Sequence, residues 1–125
     1  MWFNINMRSP VPIYKQIKRN IYKLLLRGEI KDGEMLPSIR DLASSIRVNP
    51  NTVARSYREM ESEGIVVARQ GLGYMIITNR NQIRKIILEE LKKDLSDYLI
   101  RYQKLGVTLD EVLEVIKTLW KENKV

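Results

Sequence analysis

Residues 36–64, LPSIRDLASSIRVNPNTVARSYREMESEG, decide the fold of this chain. Ser38 is placed to cap a short helix, and Asp41 three residues later makes an approximate capping box. The apolar positions that follow have helical spacing, and they are Ile39, Leu42, Ala43 and Ile46. A tight break is predicted at residues 47–49.

A second helix is predicted directly after this break. Asn49 is a good N-cap and Pro50 a good first helical residue. The helix is expected to run to about Glu63, with a buried stripe formed by Val53, Tyr57 and Met60. A short helix, a tight turn and a second helix together predict a helix-turn-helix motif.

The flanking residues complete a small domain. Upstream, Ile13, Ile17, Ile21, Leu24 and Leu25 predict a helix over residues 13–27 that ends at Gly28. Downstream, two β-prone runs at 65–68 and 74–77 surround a glycine-rich turn and predict a β-hairpin, the wing of the motif. Near the start of the chain, alternating Phe3, Ile5 and Met7 predict a brief edge strand.

A different pattern begins after residue 79. A long helix is predicted from about Gln82 to Leu105. It carries a heptad seam of about three repeats, which requires a partner helix, and the seam consists of Leu88, Leu91, Leu95, Tyr98, Tyr102 and Leu105. A full capping box at residues 108–111 starts a last helix. We therefore predict a homodimer held together by these seam residues.

The predicted fold is mostly α with a small β-hairpin. A winged helix-turn-helix DNA-binding domain is expected at residues 10–79, followed by a two-helix C-terminal dimerisation segment at residues 80–125.

Composition narrows the function. The chain has 125 residues, a net charge of +7, no Cys and no His, which excludes disulfides, cysteine zinc sites and Ser-His-Asp triads. Since no phosphate loop and no nucleophile–base pair is visible, we predict that the protein is not an enzyme and has no cofactor and no metal. No apolar run approaches the roughly 20 residues that span a bilayer. A cytoplasmic protein without membrane association is expected.

The basic surplus indicates an anionic partner. Residues 1–79 hold 12 basic and 7 acidic side chains, so the surplus lies mainly in the winged half. A helix in the major groove presents its N-terminal residues to base edges, where Asn suits adenine and Arg suits guanine. From this chemistry we predict double-stranded DNA as partner, contacted by Asn51, Thr52, Arg55, Arg58 and the wing tip Arg69, Gln70 and Gly71.

The same stretches resemble a known family. Residues 36–43 and 48–65 are similar to helix two, the turn and the recognition helix of GntR-family winged helix-turn-helix regulators, and residues 69–73 resemble the family's wing. Many members carry basic residues where this chain has Pro50 and Ala54. The form NPNTVAR at residues 49–55 instead looks like the YtrA-type subfamily, whose C-terminal part is a short helical dimerisation segment.

Because a two-fold dimer presents two recognition helices to the duplex, an inverted-repeat operator is predicted. The resemblance implies a transcriptional regulator, expected to be a homodimeric repressor, that controls a transporter operon. By matching position it implies DNA contacts for Arg40, Asn51, Thr52, Gln70 and Gly71. The complete predicted DNA-binding set is Ser38, Arg40, Asn49, Asn51, Thr52, Arg55, Arg58, Arg69, Gln70 and Gly71.

Two alternatives stay open at this point. Winged helices also serve as protein-interaction adaptors without DNA binding, because fold alone does not fix function. A small-molecule effector is a further candidate partner. The two C-terminal helices, which total about 40 residues, cannot enclose a drug-sized cavity by themselves. An effector would therefore lie at the dimer interface or between these helices and the winged domain.

Overall fold

The computed structural model describes residues 3–123. Its helices and strands confirm the predicted class, mostly α with one β-hairpin. In chain order they are α1 Ile13–Leu26, α2 Ile39–Ile46, α3 Pro50–Ser62, β1 Val66–Arg69, β2 Gly73–Ile76, α4 Arg80–Lys104 and α5 Leu109–Glu122.

The chain forms two compact units that divide between Ile86 and Ile87, inside α4. The predicted domain boundary after residue 79 instead coincides with the start of α4. The assignment of residues 10–79 and 80–125 to separate functions stays a prediction.

The core of the first unit is built around α3. Val53, Tyr57 and Met60 on this helix are fully buried, and α3 packs against both α1 and α2. The Tyr57 hydroxyl donates to the Pro37 carbonyl at 2.7 Å, and its ring meets the Tyr74 ring edge-on with centroids 5.2 Å apart. Tyr57 therefore fixes α3 to the start of α2 and to the hairpin.

The turn between α2 and α3 is held by backbone geometry and side-chain caps. The Ser38 hydroxyl accepts from the Asp41 amide at 3.0 Å, and the Asn49 side-chain oxygen accepts from the Asn51 amide at 2.8 Å. Arg47 closes α2 in the left-handed conformation with φ 56°, which is strained for a residue with a Cβ. Both predicted N-caps are confirmed.

The wing has a third segment that the sequence pattern did not predict. β1 and β2 pair antiparallel with Val66 opposite Ile76. Residues 33–36, in the loop before α2, run along the free edge of β2: Gly33 donates to the Ile76 carbonyl and Leu36 to the Tyr74 carbonyl, both at 2.8 Å. These bonds tie the wing to the helix-turn-helix segment.

The predicted edge strand at Phe3, Ile5 and Met7 is wrong. The backbone of Asn4 and Asn6 pairs with the side-chain amides of Gln16 and Asn20 on α1, at 2.8–3.2 Å. Nor do the alternating apolar residues share one environment, since Phe3 packs into the core while Met7 is exposed. Amide side chains one helical turn apart thus replace a neighbouring strand.

The second unit contains most of α4 and all of α5. The predicted capping box is present: Thr108 accepts from the Glu111 amide at 3.2 Å, and the Glu111 carboxylate accepts from the Thr108 amide at 2.9 Å. Within residues 3–123 no helix is long and apolar enough to cross a membrane.

Candidate nucleic-acid interface

The face of α3 opposite the core carries the residues predicted to contact the DNA major groove. Asn51, Arg55 and Arg58 are exposed, and their spacing of four and three residues places them along one side of the helix. Thr52 is half-buried beside them. The first turns of α3 therefore offer an amide, a hydroxyl and two guanidinium groups to a partner.

The other predicted contacts lie at element ends. Arg40 is exposed in the first turn of α2, and Arg69, Gln70 and Gly71 are exposed at the tip of the wing. Gly71 has φ 75°, and the Leu72 amide donates to the Arg69 carbonyl at 2.9 Å, as in a type II turn, which needs Gly at this position.

Two predicted contacts already serve the fold. Ser38 and Asn49 use their side-chain oxygens as N-caps. Their donor groups, the Ser38 hydroxyl proton and the Asn49 Nδ2, are not consumed by capping. These donors sit at the positive ends of helix dipoles, where phosphate oxygens bind well.

Arg55 makes two contacts within the protein. Its Nε donates to Glu59 Oε2 at 3.2 Å. Its guanidinium carbon lies over the Tyr14 ring, 3.7 Å from the centroid. Arg58, by contrast, forms no such contact within the described residues.

The carboxylates at the C-terminal end of α3 have hydrogen-bond or ion-pair partners inside the protein. Lys18 on α1 pairs with Glu59 at 3.2 Å and also with Glu63, and the Tyr22 hydroxyl donates to Glu63 at 3.0 Å. Glu61 accepts from the Ala68 amide of β1 at 3.0 Å. These carboxylates attach α3 to α1 and to the wing.

The pKa values of Lys18 and Glu59 are shifted in the directions that these contacts would produce. Burial alone would lower the pKa of Lys18, but its hydrogen bonds and ion pairs with Glu63 and Glu59 raise it. Burial would raise the pKa of Glu59, but hydrogen bonds from Lys18 and Arg55 and their charges lower it. Both groups are therefore charged near neutral pH.

Sequence reasoning missed this α1–α3 cluster, although a signal was present. Lys18 and Tyr22 are four residues apart on α1, and Glu59 and Glu63 are four residues apart on α3. Matching spacings on two packed helices allow both pairs to meet at once.

Replacing Lys18 by Met should make the protein less sensitive to acid. The lowered pKa of Glu59 means that the pair stabilises the fold above the unfolded-state pKa of Glu and is lost as the pH falls through the folded value. Lys18→Met should therefore be less stable than wild type near pH 7, with the difference shrinking between about pH 5 and pH 3. Urea unfolding of both proteins across this pH range measures the difference in their free energies of unfolding.

Lys15→Met is the matched control, since Lys15 lies exposed on the same helix. It should follow the wild-type pH profile. A Lys18→Met deficit that stays constant down to pH 3 would show that the pairing with the carboxylates does not stabilise the fold.

The second unit exposes its predicted seam. Leu88, Tyr98 and Leu105 are 53%, 58% and 74% exposed. Leu91 and Tyr102 are also exposed and Leu95 is half-buried. The α5 helix adds apolar side chains that the predicted dimerisation set did not include, and those exposed are Leu109, Leu113, Val115, Ile116, Leu119 and Trp120.

An apolar groove of about 590 Å³ runs between α4 and α5 in this unit, lined by Leu91, Leu95, Ile116, Leu119, Trp120 and Asn123. Apolar faces of this extent on a small helical unit are normally covered by another protein surface.

A short capped helix, a three-residue turn, a helix with a polar basic face and a β-hairpin bonded to the preceding loop define a protein of the winged helix-turn-helix class. Comparison with known proteins agrees. The model of the family "Bacterial regulatory proteins, gntR family" matches residues 13–76. The chain belongs to the GntR family of transcriptional regulators, and its function is regulatory rather than enzymatic.

Relatives extend the similarity beyond the winged domain. The HTH-type transcriptional regulator YhcF of Bacillus subtilis is 39% identical over 89% of this chain and 92% of its own length. The HTH-type transcriptional repressor YtrA of the same organism is 38% identical over 92% and 89%. The solved structure of YtrA from Sulfolobus acidocaldarius, a GntR-family transcription factor, has a TM-score of 0.59 at 40% identity, over 73% of this chain and 98% of that one. The YtrA-type resemblance is thereby confirmed.

Proposed function

We propose that this protein is a homodimeric repressor that binds an inverted-repeat operator in the cytoplasm. The observation that carries the proposal is the exposed face of α3, where Asn51, Arg55 and Arg58 lie together while the acidic residues of the same helix have partners within the protein. The core of a protein–protein interface is enriched in aromatic residues and Met, and the Tyr and Met of α3, Tyr57 and Met60, are buried inside the domain instead of lying on this face.

The position of each predicted DNA-contacting residue in the domain indicates which part of the DNA it would contact. Asn51 and Arg55, in the first turns of α3, would read base edges, with Thr52 beside them. Arg40, Ser38 and Asn49, at helix N-termini, would contact phosphates. The wing tip would approach the minor groove, where Arg69 favours a narrow groove and Gly71 permits close backbone approach. The exposed Arg58 would add a phosphate contact.

The second unit supports the homodimer. Its seam and the α5 residues leave an apolar face that a single copy does not bury. A second copy presents the same face, and a two-fold dimer can bury both at once. Its recognition helices would then contact two inverted half-sites. In this proposal the groove between α4 and α5 is filled by protein side chains and not by an effector.

The name repressor rests on the relative YtrA. Control of a transporter operon rests on the subfamily resemblance.

Replacing Arg40 by Ala should weaken binding to all duplexes alike, because a phosphate contact carries no sequence information. The slope of log affinity against log salt should flatten by about one unit. Replacing Asn51 by Ala should instead cost about 1–3 kcal/mol on the operator and relax the preference at particular base pairs. Titration of each variant against a selected operator and a scrambled duplex, at several salt concentrations, separates the two effects.

Lys15→Ala is the control for charge alone, since Lys15 is an exposed cation on α1 outside the predicted contact set. If Asn51→Ala loses equal affinity for both duplexes, the assignment of α3 to the major groove is wrong. If the wild-type protein does not bind DNA, the adaptor replaces the repressor.

A further inference from the structure

The Arg55 side chain is held on two sides before any partner is present. Glu59 Oε2 accepts from Nε at 3.2 Å, and the Tyr14 ring lies 3.7 Å from the guanidinium carbon. Even so, the side chain is 56% exposed. An arginine fixed along its stem and one face, yet open to solvent, is arranged to present its remaining edge outward.

The donors of this guanidinium are divided between protein and solvent. An Arg side chain has five N–H donors, one on Nε and four on the two terminal nitrogens. In Arg55 the Nε donor goes to Glu59, and the terminal nitrogens have no hydrogen-bond acceptor within residues 3–123. Those terminal nitrogens form the fork that matches O6 and N7 of guanine in the major groove.

Both holding residues are themselves anchored. The other oxygen of Glu59 accepts from Lys18 at 3.2 Å, and the Lys18 side chain is only 14% exposed. The Tyr14 backbone carbonyl accepts from the Ser56 hydroxyl at 2.7 Å, so the backbone that carries the ring is tied to the residue next to Arg55. The two contacts on Arg55 therefore belong to the packed junction of α1 and α3.

Arg58 provides a comparison on the same helix. It is also exposed, but no carboxylate or ring holds it within the described residues. An arginine without such contacts must lose more side-chain freedom on binding. Arg55 is therefore held by a carboxylate and a ring, contacts that Arg58 does not form within the described residues.

We propose that Tyr14 and Glu59 are positioning residues that hold Arg55 as a reader of guanine in the operator. This inference rests on the proposed function. Tyr14 lies on α1, outside every predicted DNA contact, and acts only through Arg55. Because the guanidinium is oriented in the free protein, less conformational freedom is lost when it meets the base.

The test measures base preference rather than affinity alone. Arg55→Ala first identifies the base pair at which the preference for guanine is lost, using operators with single base-pair changes. Tyr14→Leu should then reduce the guanine preference at that base pair about three- to tenfold, with changes within about twofold at other base pairs. Tyr14→Phe retains the ring and should behave as wild type. In an Arg55→Ala background, Tyr14→Leu should have no further effect.

Glu59→Gln is a second variant whose guanine preference can be measured in the same way if Tyr14→Leu does not fold. It keeps an acceptor oxygen but removes the charge, and the guanine preference should again fall at that base pair alone.

Other results would overturn the proposal in distinct ways. An equal loss at all base pairs, or an effect that persists in the Arg55→Ala background, would make Tyr14 a structural residue. A gain in operator affinity on Tyr14→Leu would mean that the ring sequesters Arg55 instead of presenting it. If Arg55→Ala leaves the base preference unchanged at every position, Arg55 does not read guanine, but the protein can still be a repressor. If the wild-type protein does not discriminate operator from scrambled duplex, both the role of Arg55 and the proposed repressor function are wrong.

Discussion

Leu95→Glu should convert the dimer to monomers and weaken binding to an inverted-repeat operator about 100-fold or more. Leu95 lies at the centre of the seam on α4, beside the apolar groove. A carboxylate there would have to be buried without a partner in both copies, which costs several kcal/mol. A monomer binds one half-site and loses the gain from linking two binding events.

Two measurements check this result. Sedimentation at micromolar concentration should show a dimer for wild type and a monomer for the variant. Selection from random duplexes should return an inverted repeat for wild type and single half-sites for Leu95→Glu. Lys93→Glu is the control, because it changes the net charge more than Leu95→Glu does but lies on the side of α4 opposite to Leu95. This variant should remain dimeric. A monomeric wild-type protein would contradict the proposed assembly.

Tyr57→Ala should lower the free energy of unfolding by about 3–5 kcal/mol, the usual cost of removing a buried aromatic ring. The Tyr57 side chain is fully buried and packs against the Tyr74 ring. Burial raises the pKa of its hydroxyl, so the group stays protonated and donates to Pro37. Urea unfolding at fixed protein concentration measures the loss.

Tyr57→Phe separates the ring from the hydroxyl. It keeps the packing but leaves the Pro37 carbonyl without its 2.7 Å donor, and should cost about 1–2 kcal/mol. Tyr74→Phe is the control, because the Tyr74 hydroxyl has no hydrogen bond within residues 3–123, and it should change stability by less than about 0.5 kcal/mol. A Tyr57→Ala loss under about 1 kcal/mol would show that this ring does not hold α3 in place.

Local signals in the sequence predicted the helices and the hairpin well. Ser38, Asn49 and Thr108 each cap the helix that the pattern assigned to them. Caps and apolar spacing act within a few residues, so they can be recognised in a single stretch of chain. The alternation at Phe3, Ile5 and Met7 misled because a period-two pattern over so few residues does not show what pairs with the backbone, and here side-chain amides of α1 do so.

The sequence alone thus determined the helix-turn-helix order, the hairpin, the exposed polar face of α3 and the unpaired apolar face of the C-terminal helices. Only the tertiary structure revealed that Glu59 and Glu63 meet Lys18, that Tyr14 lies under Arg55, and that residues 33–36 extend the wing. Lys18 and Glu59 are 41 positions apart. Such contacts depend on how helices pack, and packing is set by the shape of the whole core rather than by any local pattern.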